Sequence, residues 1–354
     1  MKSVNSGSLS FDAWQKACER GVQWCLDLQE PDGSIRMPTR CFDAIYKFPA
    51  ALVATGKYVE AAKLLNWLEN ETLTADGDFR FPERKHIYSW FDCFYTYTNS
   101  WIAIAAQRAG FFRLADRAVR HLLKYQNGET GALQSRAIET DKTGYCDTTI
   151  TSQGGICFLY TGHYEEALKA ADALCRIAEM QDDCSGLFYF RIDREGNLIK
   201  EPLEDENNVD WIRIDRTKGG QLYWYLGIAS AFLCHTYEFT GEKAYLESAE
   251  KYAGFLLDCK GSLRSFAAGK FGYCLALLYR STGNKKYRDA AIDYIDWLVK
   301  AQRSDGRWVM DDWSDELWFF PYDCTAEFVY WISEMAKLLA SPRVGSAKEA
   351  TRHD

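Results

Sequence analysis

The dipeptide Thr-Gly or Ala-Gly closes a long apolar segment at Thr55-Gly56, Ala109-Gly110, Thr161-Gly162, Thr240-Gly241 and Thr282-Gly283. Each time an amphipathic segment follows, as in "GHYEEALKAADALCRIAEMQ" and "GNKKYRDAAIDYIDWLVKAQ", with Tyr, Ala and Leu three and four residues apart and charged residues between them. That spacing predicts a helix with one wet face, and the Gly is the residue that ends the helix before it. The segments preceding the dipeptides differ. "YTYTNSWIAIAAQRAG", "TTITSQGGICFLYTG", "GGQLYWYLGIASAFLCHTYEFTG" and "SFAAGKFGYCLALLYRSTG" are apolar nearly all round, and a helix without a polar face is buried on every side. The unit is therefore a buried helix, a glycine turn and an amphipathic helix, and such a repeat governs the fold before any local motif does.

From "FDAWQKACERGVQWCLDLQ" as first outer helix to "CTAEFVYWISEMAKLLA" as last inner one, the chain provides six outer and six inner helices. The expected fold is an all-α (α/α)6 toroid of six helical hairpins, inner helices around a central cavity and amphipathic helices on the rim. A two-layer solenoid is the other arrangement, but it would expose a concave face. A chain of 354 residues, 47% of them hydrophobic, can bury one large core. No Pro-rich or Gly/Ser-rich linker divides it, so the expected organisation is a tail at 1–10, one toroid domain at 11–340 and a tail at 341–354. The longest interruption of the repeat, 181–215, is expected to form a hairpin and a loop at the cavity end, placed to act as a lid.

Composition removes several functions. The formal charge of -8 and the lack of a clustered basic face argue against nucleic acid as a partner, while an anionic small molecule stays possible. The start "MKSVNSGSLSFDAW" lacks an apolar signal core and no run of 18 apolar residues occurs, so membrane insertion is not expected and the cytoplasm is. Twelve cysteines are scattered singly, mostly in apolar helical runs, as buried thiols of a reducing compartment. Asp, Cys and His never cluster at ligand spacing, so neither a metal nor another cofactor is expected.

In a toroid the loops after the outer helices gather at one end. That end carries Asp43, Trp90 to Asp92, Tyr145 to Asp147, Trp211 to Gln221, Arg264 and Trp318 to Asp323. Asp43, Asp92, Asp147, Asp215 and Asp323 all precede inner helices, where Asp is a preferred N-cap. The same position among Trp and Tyr rings suits acid–base chemistry, because desolvation keeps a carboxyl protonated. Asp147, beside Tyr145 and Thr148, and Asp92, beside Trp90 and Phe91, are the catalytic candidates. Asp43, Trp90, Tyr95, Tyr145, Trp211, Arg213, Lys218, Gln221, Trp224, Arg264, Trp318, Tyr322 and Asp323 are the candidates for substrate contact. The aromatics can stack on sugar faces or shape an apolar polyene, and Arg213, Arg216, Lys218, Arg264 and Lys270 can hold a carboxylate or face solvent. Of the five histidines only His86 falls near this mouth.

At the outer-helix ends, "VQWCLDLQEPDGSI", "HLLKYQNGETGAL" and "YIDWLVKAQRSDGRW" resemble the glutamine-tryptophan repeats of squalene and oxidosqualene cyclases, with Trp308 in the last copy and Ile35 and Leu133 in its place in the others. The resemblance implies that these turns tie neighbouring repeats together. The DxDD acid of the cyclases is absent. A second resemblance is to the six-hairpin glycosidases, specifically the unsaturated glucuronyl and rhamnogalacturonyl hydrolases. "WFDCFYTYTNSW", "YCDTTITSQGGICFLYTGHYEEA" and "KGGQLYWYLGIASAFLCHTYEFTG" are similar to segments of that family. This resemblance implies a site Asp at Asp92, a general acid/base at Asp147, a cation at Lys218 or Arg216 and a polar contact at Gln221. It also implies an enzyme that protonates a vinyl ether in an unsaturated uronide or oligosaccharide. A cyclase or isomerase of a terpenoid or polyketide intermediate, and a ligand-binding toroid without turnover, are the competing readings.

Overall fold

The structure is a computed structural model and describes residues 10–182, 184–203, 208–309 and 317–340. Residues 1–9 of the N-terminal tail, the tail 341–354, positions 204–207 of the insertion and the acidic run at 310–316 lie outside the described residues.

Helix α1 (Phe11–Asp27) is the first outer helix, and the first inner one is broken into α2 (Phe42–Ile45) and α3 (Phe48–Ala54). Outer and inner helices then alternate: α4 (Tyr58–Glu71), α5 (Tyr97–Arg108), α6 (Phe112–Leu123), α7 (Thr148–Thr161), α8 (Tyr164–Glu179), α9 (Trp224–Thr240), α10 (Lys243–Leu257), α11 (Gly269–Thr282), α12 (Lys285–Lys300) and α13 (Phe320–Ala340). Packing closes the ring. Helices α3, α5, α7, α9, α11 and α13 touch in that order, α13 returns to α3, and α1 packs on α13 and α12. This is the (α/α)6 toroid, and the open solenoid is excluded.

Burial follows the two sequence patterns. Helix α8 buries Ala167, Ala170, Ala171, Leu174, Ile177 and Ala178 and leaves its charged face in water, whereas α7 is buried without a break from Thr148 to Phe158. Gly162, Gly241 and Gly283 end α7, α9 and α11 in the left-handed conformation.

The glutamine turns join successive outer helices. The Gln29 amide donates to the Gly33 carbonyl (3.4 Å) and to Glu60 in the first turn of α4 (2.9 Å). Gln126 does the same with Gly131 (2.9 Å) and Glu166 of α8 (2.8 Å), and Gln302 with Gly306 (2.7 Å) and Ala17 of α1 (2.9 Å). At Gly33, Gly77, Gly131 and Gly306 a Cβ would overlap the backbone carbonyl of Lys63, Arg117, Lys169 and Arg20 respectively. The turn therefore lies directly on the next helix, and only a residue without a side chain permits that approach. Trp308 is fully buried and its indole N–H donates to the Leu298 carbonyl (2.8 Å).

The insertion is fastened to the ring. Strand β1 (Cys146–Asp147) runs into α7 and pairs antiparallel with β3 (Arg191–Ile192), while β2 (Leu187–Tyr189) pairs with β4 (Arg213–Asp215). Phe188, Phe190, Ile192, Ile212 and Ile214 are all buried. The expected hairpin and loop take the form of two short antiparallel ladders, because five apolar side chains in this stretch need a core to enter.

Candidate active site

A cavity of about 650 Å³ opens at the end of the ring where the loops after the outer helices gather. Its walls come from the second and third hairpins: Asp76, Asp78 and Arg80 from the turn after α4, and Ser89 and Asp92 from the 3-10 helix Ser89–Phe94. Tyr95, His121 of α6, and Arg136, Ala137, Glu139, Thr140 and Asp141 from the loop after α6 complete it.

Where the start of α3 meets α11 and α13 the inner helices hold a buried ion network. Lys47, Lys270, Asp323 and Glu327 are all buried there. Lys47 bonds Asp323 (2.7 Å) and Glu327, and Lys270 bonds the other Glu327 oxygen (2.5 Å), which also accepts from the Trp331 indole (2.9 Å). Burial alone would raise the Glu327 pKa, but Lys270 and Lys47 bring it down to about 2. Beside this stretch of the ring, Trp90 meets Trp211 (ring centres 6.3 Å), Phe319 (6.1 Å) and Phe320 (6.2 Å).

Asp92 faces the cavity with an exposed side chain. Partial desolvation holds its carboxyl above the ordinary range against the charges of His86 and Arg136, and the Asp43 carboxylate adds to the rise. Asp78 has the opposite character. Burial would raise its pKa, but the Lys85 ammonium (2.5 Å) outweighs burial and lowers it. Asn99 (3.0 Å), the Phe79 N–H (2.8 Å) and the Tyr95 hydroxyl (2.9 Å) complete its donors. His121 stands beside it with Nδ1 on Asp76 (3.1 Å), and burial depresses its pKa, so the ring is neutral at pH 7. The wall thus combines a protonatable acid, a fixed carboxylate, a neutral imidazole and the guanidiniums of Arg80 and Arg136.

Of the residues singled out by sequence, Asp92 and Tyr95 line this cavity. Asp147 is fully buried and caps α7: it accepts from the Ile150 N–H (2.9 Å) and the Ser135 hydroxyl (2.6 Å), and burial raises its pKa against the pull of Arg191. Asp43 is buried against His86. Tyr145 is buried under the Arg191 guanidinium, 4.4 Å from its ring centre. Trp90 and Trp211 belong to one aromatic cluster, and Asp323 to the ion network. Arg213 donates to the Tyr189 hydroxyl (3.3 Å). Gln221 braces its own loop through the carbonyls of Asp215 (2.7 Å) and Lys218 (2.8 Å), the Lys218 side chain being exposed. Trp224 leans on Tyr225 (6.1 Å) and Trp318 meets Tyr322 edge-on (5.6 Å). Arg264 pairs with Asp293 at the surface (2.8 Å). Sequence reasoning missed Asp76, Asp78, Arg80, His121, Arg136, Glu139 and Asp141. The signal was present in "TADGDFR" and "QSRAIETD", charged stretches in the very turns that lead toward the mouth.

Among the described residues no group of His, Cys, Asp and Glu is arranged to hold a metal, and no helix is long and apolar enough to cross a membrane.

Fold and site together define a six-hairpin toroid with a charged small-molecule cavity at the mouth of the ring. Residues 205–337 match the model of Glycosyl Hydrolase Family 88. No curated protein matches the chain by sequence. Among solved structures, an unsaturated glucuronyl hydrolase specific for heparin is 13% identical, with 93% of this chain and 98% of that one covered at a TM-score of 0.62. A D-mannose isomerase is 11% identical over 94% and 99% of the two chains at 0.66. A type II terpene cyclase from Scytonema is 13% identical over 93% and 99% at 0.62. At such identities the likeness is one of fold. The chain is glycoside-hydrolase-like in fold and in the sequence of its C-terminal part.

Proposed function

We propose that the protein is a hydrolase acting on an unsaturated uronic acid or a uronate-bearing oligosaccharide, with its site in the cavity of the second and third hairpins. The observation that carries this reading is Asp92, an acid with a raised pKa that faces a cavity also lined by two guanidiniums. A volume of about 650 Å³ is in the range of small-molecule sites. Arg80 and Arg136 suit a carboxylate, and so charged a wall offers little to an apolar polyene, which favours the sugar over the cyclase substrate.

In this scheme the Asp92 O–H protonates the double-bond carbon remote from the ring oxygen, leaving an oxocarbenium ion. Water adds to the cationic carbon and returns a proton to the Asp92 carboxylate. The resulting hemiketal opens to a ketone and a hemiacetal, and the hemiacetal collapses to an aldehyde as its hydroxyl proton passes to the oxygen of the leaving sugar. Asp147, the acid of the sequence reading, takes the role of anchor here. Its bond to Ser135 holds the residue before Arg136, and its cap fixes the start of α7.

The test is incubation with an unsaturated uronyl disaccharide, followed by the loss of the ultraviolet absorbance of the double bond. Asp92→Asn is expected to lower turnover by roughly 10²- to 10⁴-fold, the usual contribution of a general acid, with the fold intact by circular dichroism. Full activity in that variant, or consumption of a terpenoid but not the uronide, would overturn the proposal.

A further inference from the structure

Behind the cavity acid lies a buried Asp–His pair that the hydrolytic scheme does not use. Asp43, in the first turn of α2, is fully buried. One of its oxygens accepts from His86 Nδ1 (2.5 Å) and the other from the Ile87 N–H (3.1 Å). The Phe42 N–H donates back to the Lys85 carbonyl (3.3 Å). The start of α2 and residues 85–87 are thereby clamped together, five residues before Asp92. The imidazole packs on Phe91 (4.9 Å), the residue preceding Asp92, and meets Tyr95 edge-on (6.2 Å). Its Nε2 is buried and has no hydrogen-bond partner.

We propose that the Asp43–His86 pair is the positioning element of the acid Asp92: it clamps the segment that carries Asp92 to the start of α2 and holds the Asp43 carboxylate and the His86 ring next to that segment. The charges that act most on Asp92 are those of His86, Asp43 and Arg136, and Asp76, Asp78, Arg80, His121, Glu139 and Asp141 share its cavity wall. Around the pair itself stand Tyr95 and the Cys41 thiol, whose pKa burial and then Asp43 push up to about 12. Asp43 opposes ionisation of Asp92, whereas His86 and Arg136 favour it, so the pair works as a counterweight and not as an added charge of one sign.

This inference deepens the hydrolase reading, and its test needs no substrate. The side-chain carboxyl carbons of the full-length protein, labelled with ¹³C-aspartate, are followed by NMR through a pH titration, with Asp92 assigned from Asp92→Asn. Asp43→Asn, which keeps an acceptor for His86, is expected to lower the Asp92 midpoint by at least about half a pH unit, a threefold change in proton affinity. His86→Asn, which keeps a donor for Asp43, is expected to raise it. A purely structural role would leave the midpoint unmoved or shift it the same way in both variants, and either result overturns the proposal. If Asp43→Asn does not fold, His86→Asn and His86→Gln still decide it: an upward shift supports the pair and an unchanged midpoint refutes it. Opposite shifts in a protein that turns over no uronide would retain the pair and discard the hydrolase.

Discussion

Replacing Gly131 by Ala tests how the ring is held together. Gly131 has φ +75°, and a Cβ built on it would overlap the Lys169 carbonyl in α8. The backbone conformation alone costs an Ala about 1–2 kcal/mol, and forcing a turn off its neighbour adds about 1–3 kcal/mol. The sum is a loss of roughly 2–5 kcal/mol. Gly162 supplies the control, since it has φ +84° but a Cβ added there would meet nothing within 4 Å. Gly162→Ala is therefore expected to cost only the conformational part, about 1–2 kcal/mol. Urea unfolding of both variants, followed by tryptophan fluorescence and circular dichroism, measures the difference. A midpoint for Gly131→Ala no lower than that for Gly162→Ala would refute the idea that these turns brace successive hairpins.

Lys270→Met leaves Glu327 short of a partner in the buried ion network and is expected to destabilise the fold by about 3–5 kcal/mol, read as a lower denaturation midpoint. The same network predicts acid sensitivity. Because the folded Glu327 pKa is depressed to about 2, its contribution is complete above the unfolded value near pH 4 and disappears as pH falls toward 2. That contribution is at most about 3 kcal/mol, and Glu327→Gln should flatten the stability curve over that interval. Of the twelve cysteines only Cys184 is exposed, so a thiol reagent should label one site rapidly in the native protein, while Cys18 and Cys41, pushed up to about 12 by burial, should react only on unfolding.

The ring was readable in the sequence because its two helix classes differ in period and polarity. A helix like α7, with Thr148 to Phe158 all buried, cannot sit on a rim, and one like α8 cannot sit inside. The glutamine turns were readable for the same reason: Gln126 and Gly131 act on the next helix through short, regular spacing. The site was only half legible. Asp92 and Asp147 are both Asp before an inner helix, and the same residue type serves as cap and as acid. Burial separates them, and burial is set by the insertion, whose β3 pairs with the strand carrying Asp147. Lys47, Lys270 and Glu327 are far apart in the chain, so no spacing rule shows that they meet. Asp78 and His121 were hidden because they lie in a turn and on an outer helix that the repeat already explained.

The most direct test of the proposed site is a crystal structure of Asp92→Asn with an unsaturated uronyl disaccharide. The expected result is the uronate carboxylate between Arg80 and Arg136, with the double bond against residue 92 and the Lys47–Glu327–Lys270 network unchanged. Sugar bound in place of the Trp90 and Trp211 rings, with the cavity of the second and third hairpins empty, would contradict it.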